Sequence, residues 1–254
     1  MLLDRLETKI KDIPDKLEEV YYAQLSDEQR KIYDGEVVKI RRSLEKGDDK
    51  AFDKSKIELL AELTRIRQIC CDPHLLFENY DGASAKLDTC MELIKSALEG
   101  EHRVLLFSQF TSMLDIIAKE LEFENIGFYT ITGETKKEQR IQLVNDFNSG
   151  TDNVNVFLIS LKAGGTGLNL TGADVVIHFD PWWNVAAQNQ ATDRAYRIGQ
   201  TKVVSVYKII AKDTIEEKIL KMQETKKSLA DNVLSGETGG LVGMSREEIM
   251  ELLQ

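Results

Sequence analysis

Two guanidinium groups sit three positions apart in Gln190-Ala-Thr-Asp193-Arg194-Ala-Tyr-Arg197-Ile-Gly199-Gln200, near the end of the chain. If this segment is helical, positions 190, 194 and 197 share one face. A pair of permanently charged, planar forks aimed the same way suits a polyphosphate, since one arginine already grips a single carboxylate in a bidentate manner. On a solvated face the same arginines would instead pair with local acids such as Asp193. A second phosphate-type segment lies upstream, Ser160-Leu-Lys162-Ala-Gly164-Gly165-Thr166-Gly167-Leu-Asn169-Leu170. Its glycines let backbone amides approach an anion closely, although a loop of this composition also reads as no more than a tight connection.

What the chain lacks is equally informative. No G-x-x-x-x-G-K-[ST] phosphate loop and no acidic tetrad for magnesium follows any strand-like run. Phosphoryl transfer needs that lysine and metal on the β- and γ-phosphates, so the residues present amount to half a site. A metal centre is not expected either. Cys71-Asp72-Pro73-His74 has the start of a ligand spacing, but a closed zinc site needs about four ligands and His102 and His178 are isolated. Cys70, Cys71 and Cys90 read as reduced core thiols.

These residues must be carried by an α/β scaffold. Near-continuous apolar runs predict strands at residues 104–108, 128–132, 154–160, 175–179 and 203–210, each buried on both faces. Helical patterns lie between them. Leu114, Ile117 and Leu121 share one face with Ser112 and Asp115 as a capping box, and Ile141, Val144 and Phe147 share another with Thr135 and Glu138 as caps. Alternation of this kind gives a parallel sheet, whose ligands bind outside the carboxyl ends of the strands. The segments starting at Ser160 and Asp180 both begin at such ends. Upstream, Leu87, Met91, Ile94 and Leu98 form one covering stripe, and Leu59, Leu63, Ile66 and Cys70 form another that stops at Pro73. Residues 44–55 read as a turn, Ser235 to Gly240 as a flexible linker, and Ser245 with Glu248 as the cap of a last short helix.

At 254 residues the chain is long enough for one domain with an accessory region. It has no apolar stretch of about 18 residues and no cationic leader, which predicts a soluble intracellular protein with no membrane partner. The formal charge of −10 opposes nucleic-acid binding by the chain as a whole. Residues 181–230, however, hold nine basic and five acidic groups, so the basic excess coincides with the arginine motif.

Four segments, in order, resemble the second-lobe motifs of the SWI/SNF-related ATPases of helicase superfamily two. They are Phe107-Ser108-Gln109-Phe110, Ser160 to Leu170, Asp180-Pro-Trp182-Trp183-Asn184 and Gln190 to Gln200. Leu63-Thr-Arg-Ile-Arg67-Gln-Ile-Cys-Cys-Asp-Pro73-His resembles the helical region before that lobe, and Ile13 to Tyr33 the hand-over from the first. Val185 and Tyr196 stand where the family usually has proline and histidine, neither of which the chemistry needs charged.

The resemblance implies a RecA-like parallel sheet flanked by helices, with an N-terminal helical accessory region. It implies an inter-lobe region at 1–80, the second ATPase lobe at 81–230, and a linker with a short helix at 231–254. The function implied is the C-terminal lobe of a bacterial-type, cytoplasmic, ATP-dependent translocase on double-stranded DNA, without sequence preference. ATP and magnesium would be held mainly by a first lobe of the same protein. Arg197 would be the arginine finger and Arg194 a second phosphate contact. Gln190 and Asp193 would position them, and Gly167 and Asn169 would line the nucleotide side. Ser108, Gln109, Ser160, Lys162 and Gly165 would grip the DNA backbone, with Trp182 and Trp183 as coupling residues or simply core. The rival expectation is a Rossmann-like dinucleotide-binding or non-catalytic interaction module; against it, Ser108-Gln109-Phe110-Thr111 after the first strand contains no glycine.

Overall fold

The computed structural model describes residues 14–46, 49–161, 163, 167–230 and 244–253. The expected linker at 235–240 lies outside them, as do Lys162 and Gly164 to Thr166. Elements run in the order β1 (Lys16–Ala23), α1 (Asp27–Lys46), α2 (Asp49–Cys71), α3 (Ala85–Glu99), β2 (Val104–Ser108), α4 (Thr111–Phe123), β3 (Phe128–Ile131), α5 (Lys137–Ser149), β4 (Val156–Ser160), β5 (Val175–His178), α6 (Val185–Thr192), β6 (Val204–Ala211), α7 (Ile215–Ala230) and α8 (Arg246–Leu252).

Among the described residues these strands form one parallel sheet in the order β1-β6-β5-β2-β4-β3. Its centre consists of β2, β4 and β5, which are buried along their whole length, as unbroken apolar runs require. Val104 lies opposite both Val156 and Val175, so Ser108 and Ser160 reach the carboxyl edge side by side. The fold class expected from the sequence is the one observed.

One strand was not anticipated. β1, Lys-Leu-Glu-Glu-Val-Tyr-Tyr-Ala, lies within residues read as helical and is mostly exposed, so no apolar run betrays it. It pairs with β6 at the edge, where Val204 N–H donates to the Asp15 carbonyl and Lys208 Nζ lies 2.9 Å from Glu18. Caps also differ. The Ser112 and Thr135 boxes do not form, because α4 and α5 start from Phe110 and Lys136 without a side-chain cap bond. Ser108 Oγ accepts the Phe110 N–H at 3.1 Å instead. The Ser245–Glu248 box is present. Ile141 is exposed, while Val144 and Phe147 are buried. Of the turn expected over residues 44–55, residues 44–46 and 49–55 lie in α1 and α2, and residues 47 and 48 lie outside the described residues.

The chain divides into two compact units. One holds the chain up to Tyr21, Thr89–Asp180 and Ala186–Ile209; the other holds Tyr22–Asp88, Pro181–Val185 and Ile210 onward. The first contains the sheet centre, on which α4 buries Met113, Leu114, Ile117 and Leu121, and α5 sets Phe147 against Phe157 with ring centroids 5.1 Å apart.

The second unit packs Tyr33, Val37 and Ile40 of α1 and Leu59, Leu63, Ile66 and Cys70 of α2 with Ile215 and Ile219 of α7 and Ile249 and Leu252 of α8. α2 stops at Cys71, where Asp72 accepts the His74 N–H at 2.8 Å ahead of a short 3-10 turn opened by Pro73. An ion pair is sealed inside this unit. Lys86 Nζ lies 2.9 and 2.7 Å from the two carboxylate oxygens of Glu216, and both side chains have no exposed surface. On α3, Lys86, Cys90, Met91, Ile94 and Ala97 are buried, so Met91 and Ile94 of the expected stripe face inward while Leu87 and Leu98 are half-buried.

Candidate functional site

In the first unit the carboxyl ends of β2, β4 and β5 are tied together by polar side chains. Asp180 is fully buried, and its carboxylate accepts the Ser108 hydroxyl at 2.5 Å and the Gln109 N–H at 3.2 Å. Ser160 Oγ accepts the Ala163 N–H at 3.3 Å, and the Leu161 N–H donates to the Ser108 carbonyl at 2.9 Å. Both serine hydroxyls, expected to grip DNA, are therefore buried and bonded within the edge. Gln109 is half-buried at its rim.

His178, at the end of β5, places Nε2 2.9 Å from Thr192 Oγ1 and stacks on Phe107 at 5.7 Å. Burial, together with the nearby Lys208 and Lys16 charges and against the pull of Glu18, lowers its pKa to about 3. It is neutral at physiological pH and fastens α6 to the sheet.

The glycine-rich segment emerges at Gly167, which has φ +68° and open space where a Cβ would stand. The left-handed backbone, not crowding, calls for glycine there. Asn169 is exposed, and its carbonyl accepts Asn148 Nδ2 at 2.7 Å. Asn148 Oδ1 in turn accepts the Gly172 N–H at 3.0 Å, so a residue of α5 that carried no motif fixes this loop.

The arginines do not lie on a helix. α6 ends at Thr192, and the chain continues in turns closed by the Arg194 N–H to the Ala191 carbonyl (3.2 Å) and the Ala195 N–H to that of Thr192 (3.1 Å). Bonds between i and i−3 tighten the coil, so positions 190, 194 and 197 lose their common face. Gln190, Asp193 and Arg197 are exposed, whereas Arg194 is only 7% exposed. Arg194 Nε is buried without a hydrogen-bond partner. Burial holds the Arg194 pKa below its ordinary value, and the neighbouring Arg197 charge adds to this against Asp193. Two like charges and an unsatisfied donor form a locus that an anion would complete. The Leu170 N–H donates to the Arg194 carbonyl at 2.9 Å, which joins this turn to the loop bearing Gly167 and Asn169.

Trp182 and Trp183 belong to the second unit. Trp183 is half-buried against its core, 5.5 Å from the Arg67 guanidinium, and Arg67 also donates to the Pro181 carbonyl. Gln223 donates to the Trp182 carbonyl. Arg67, Gln223, Asn148 and Gln200, the last hydrogen-bonded through its side chain to five backbone groups, were assigned no role from sequence. Among the described residues no group of His, Cys, Asp or Glu side chains could hold a metal ion, and no helix is long and apolar enough to cross a membrane.

A parallel sheet of this order, with an arginine turn held against the segment that enters β5, is the architecture of a helicase-type RecA-like lobe. Residues 85–199 match the helicase conserved C-terminal domain. The C-terminal domain of the Sulfolobus solfataricus SWI2/SNF2 ATPase superimposes with a TM-score of 0.76 at 32% identity, covering 94% of this chain and 98% of that one. The core of that ATPase, solved in complex with double-stranded DNA, gives 0.78 at 34%, covering 96% and 51%. A putative ATP-dependent helicase/translocase of Bacillus subtilis, YwqA, is 38% identical over 249 residues, which is 95% of this chain and 26% of that protein. The chain belongs to the SWI2/SNF2 ATPase family, as its C-terminal lobe. It spans about a quarter of the length of the curated relatives it matches.

Proposed function

We propose that this lobe serves an ATP-dependent translocase on double-stranded DNA, in which Arg197 is the arginine finger and Arg194 a second phosphate contact. The observation that carries the reading is the buried, unpartnered Nε of Arg194 beside the exposed Arg197. Rigid, weakly hydrated forks suit the charge that spreads over phosphate oxygens in the transition state. Gly167 and Asn169, tethered to the same turn through Leu170, line the nucleotide side. Gln190 and Asp193, both exposed, complete the rim. ATP and its magnesium are held mainly by a first lobe, since this chain has neither a lysine phosphate loop nor the acids for the metal.

DNA contacts fall to Gln109, Lys162 and the backbone around Gly165. Ser108 and Ser160 support that edge from below through their buried bonds. Such contacts reach phosphates and sugars and carry no sequence preference. Trp182 and Trp183, anchored by Arg67 and Gln223, fit a loop that passes nucleotide state to the DNA track. The relatives support this reading through a helicase/translocase and a core solved on double-stranded DNA.

The test is Arg197→Ala in the full-length protein. DNA-stimulated phosphate release should fall ~10³ to 10⁵-fold, about 4–7 kcal/mol, with nucleotide binding retained. Arg197→Lys should recover little, because a point charge does not reproduce the fork. Retention of more than about a tenth of the parent rate by either variant would refute the assignment.

A further inference from the structure

We propose that Gln200 is a positioning residue: its side-chain amide holds the Arg194–Arg197 turn where both guanidiniums can meet phosphate. The proposal rests on the role given above to those arginines. Gln200 is 4% exposed and uses both ends of its amide. Nε2 donates to the Ala173 carbonyl at 2.7 Å and lies 3.2 Å from that of Ala195 and 3.3 Å from that of Thr171. Oε1 accepts the N–H groups of Thr201 and Lys202, each at 2.9 Å. The Gln200 backbone N–H donates to the Arg197 carbonyl at 3.0 Å.

One residue thus grasps the turn at Ala195, between the two arginines, and at Arg197 itself. It joins both to the segment that enters β5. The turn has few other fastenings. Beyond Thr192 only the Tyr196 N–H to Thr192 carbonyl bond (3.1 Å) keeps the spacing of the helix after Asp193, the Leu170 N–H holds the Arg194 carbonyl, and Arg197 to Gly199 are exposed, Ile198 at 65%. Gly199 sits at φ +103° with open space around it, so the chain reverses immediately before Gln200 through a conformation that side chains resist.

The chemistry calls for glutamine specifically. Two donors and a two-lone-pair acceptor are needed at the end of one stem. Glutamate has the same shape but would turn a charge on three carbonyls, and methionine fills the volume but leaves the backbone groups unpaired. Buried groups stripped of partners shift local equilibria by factors of about 10 to 100, enough to move a finger out of register.

The experiment uses the full-length protein with ATP and a DNA duplex, comparing Gln200→Glu, Gln200→Met, Gly199→Ala, Arg197→Ala and the double variant Arg197→Ala/Gln200→Glu. The Gln200 and Gly199 variants should lose about 10- to 100-fold in kcat while KM for ATP changes less than about threefold. In the Arg197→Ala background the glutamate change should cost clearly less than it does in the parent, because only the Arg194 contact remains to be displaced. Gly199→Ala alters no buried polar group, so it reports on the turn even if a Gln200 variant folds poorly. If Arg197→Ala is inactive but the Gln200 variants keep the parent kcat, the positioning role is wrong and the finger stands. If Arg197→Ala keeps the parent rate, the finger assignment fails and the positioning role goes with it. Multiplicative losses in the double variant would show that the amide acts independently of the finger and would also overturn the proposal.

Discussion

Lys86→Met tests the reading of the second unit's interior. The substitution keeps the aliphatic stem and removes the ammonium that lies 2.9 and 2.7 Å from the Glu216 oxygens. The carboxylate left behind has no exposed surface and retains the Ala211 N–H at 2.8 Å and the Cys71 thiol at 3.9 Å. Two neutral donors stabilise a buried negative charge far less than an ammonium does. Removing one partner of such a pair costs about 3–5 kcal/mol. For a chain of this size each kcal/mol lowers the melting temperature by about 2–4 °C, so a fall of roughly 6–20 °C is expected. The cost lies in the orphaned charge, not in the missing contact. Lys86→Met/Glu216→Gln should therefore be more stable than Lys86→Met alone, since glutamine is neutral and still accepts the Ala211 N–H. Denaturant unfolding of parent, single and double variants, followed by circular dichroism, decides it. A loss below about 1 kcal/mol for the single variant, or a double variant no better than the single, would refute the argument.

His178 should impose a pH dependence above the carboxylate range. Burial lowers its pKa from 6.5 to about 3, so the unfolded chain takes up a proton that the folded one refuses. Its contribution to stability is complete above pH 6.5 and declines as pH falls toward 3, by about 1.4 kcal/mol per unit. Between pH 6.5 and 5 the slope should flatten in His178→Asn, and an unchanged slope would remove the histidine from the account. Lys162→Ala should weaken DNA binding about equally for all duplexes and reduce the salt slope by roughly one, whereas an unchanged slope would take Lys162 off the DNA track. The 254-residue chain by itself should release no phosphate from ATP with or without DNA, and DNA-stimulated release by the pure chain would contradict the division of the site between lobes.

The central strands were legible because β2, β4 and β5 are buried on both faces, and such burial writes itself as unbroken apolar runs. β1 was not, because an exposed edge strand carrying Glu18 and Glu19 needs no apolar pattern. Lys86 escapes the inward face predicted for α3 for a related reason: it is charged, and its burial depends on Glu216, 130 positions away in sequence. In the site, two arginines three apart suggest phosphate chemistry by type alone, but their geometry does not follow from spacing, because the end of α6 at Thr192 depends on long-range partners. Those partners, Leu170 and the carbonyls bound by Gln200, are invisible to any spacing rule. The serines of the motifs were recognised as important, yet their inward hydroxyls show only once Asp180 is placed beside Ser108.

The three thiols have a practical consequence. Cys70, Cys71 and Cys90 are free and fully enclosed, and burial raises the Cys70 pKa well above that of an ordinary thiol. Thiolates, not thiols, react with alkylating dyes, so the folded lobe is silent toward maleimides. A cysteine introduced into this lobe at an exposed position such as Phe123 can then carry a fluorophore with no need to strip the three native ones. The native thiols become a clock as well: the rate at which they label counts how often the interior of the lobe opens.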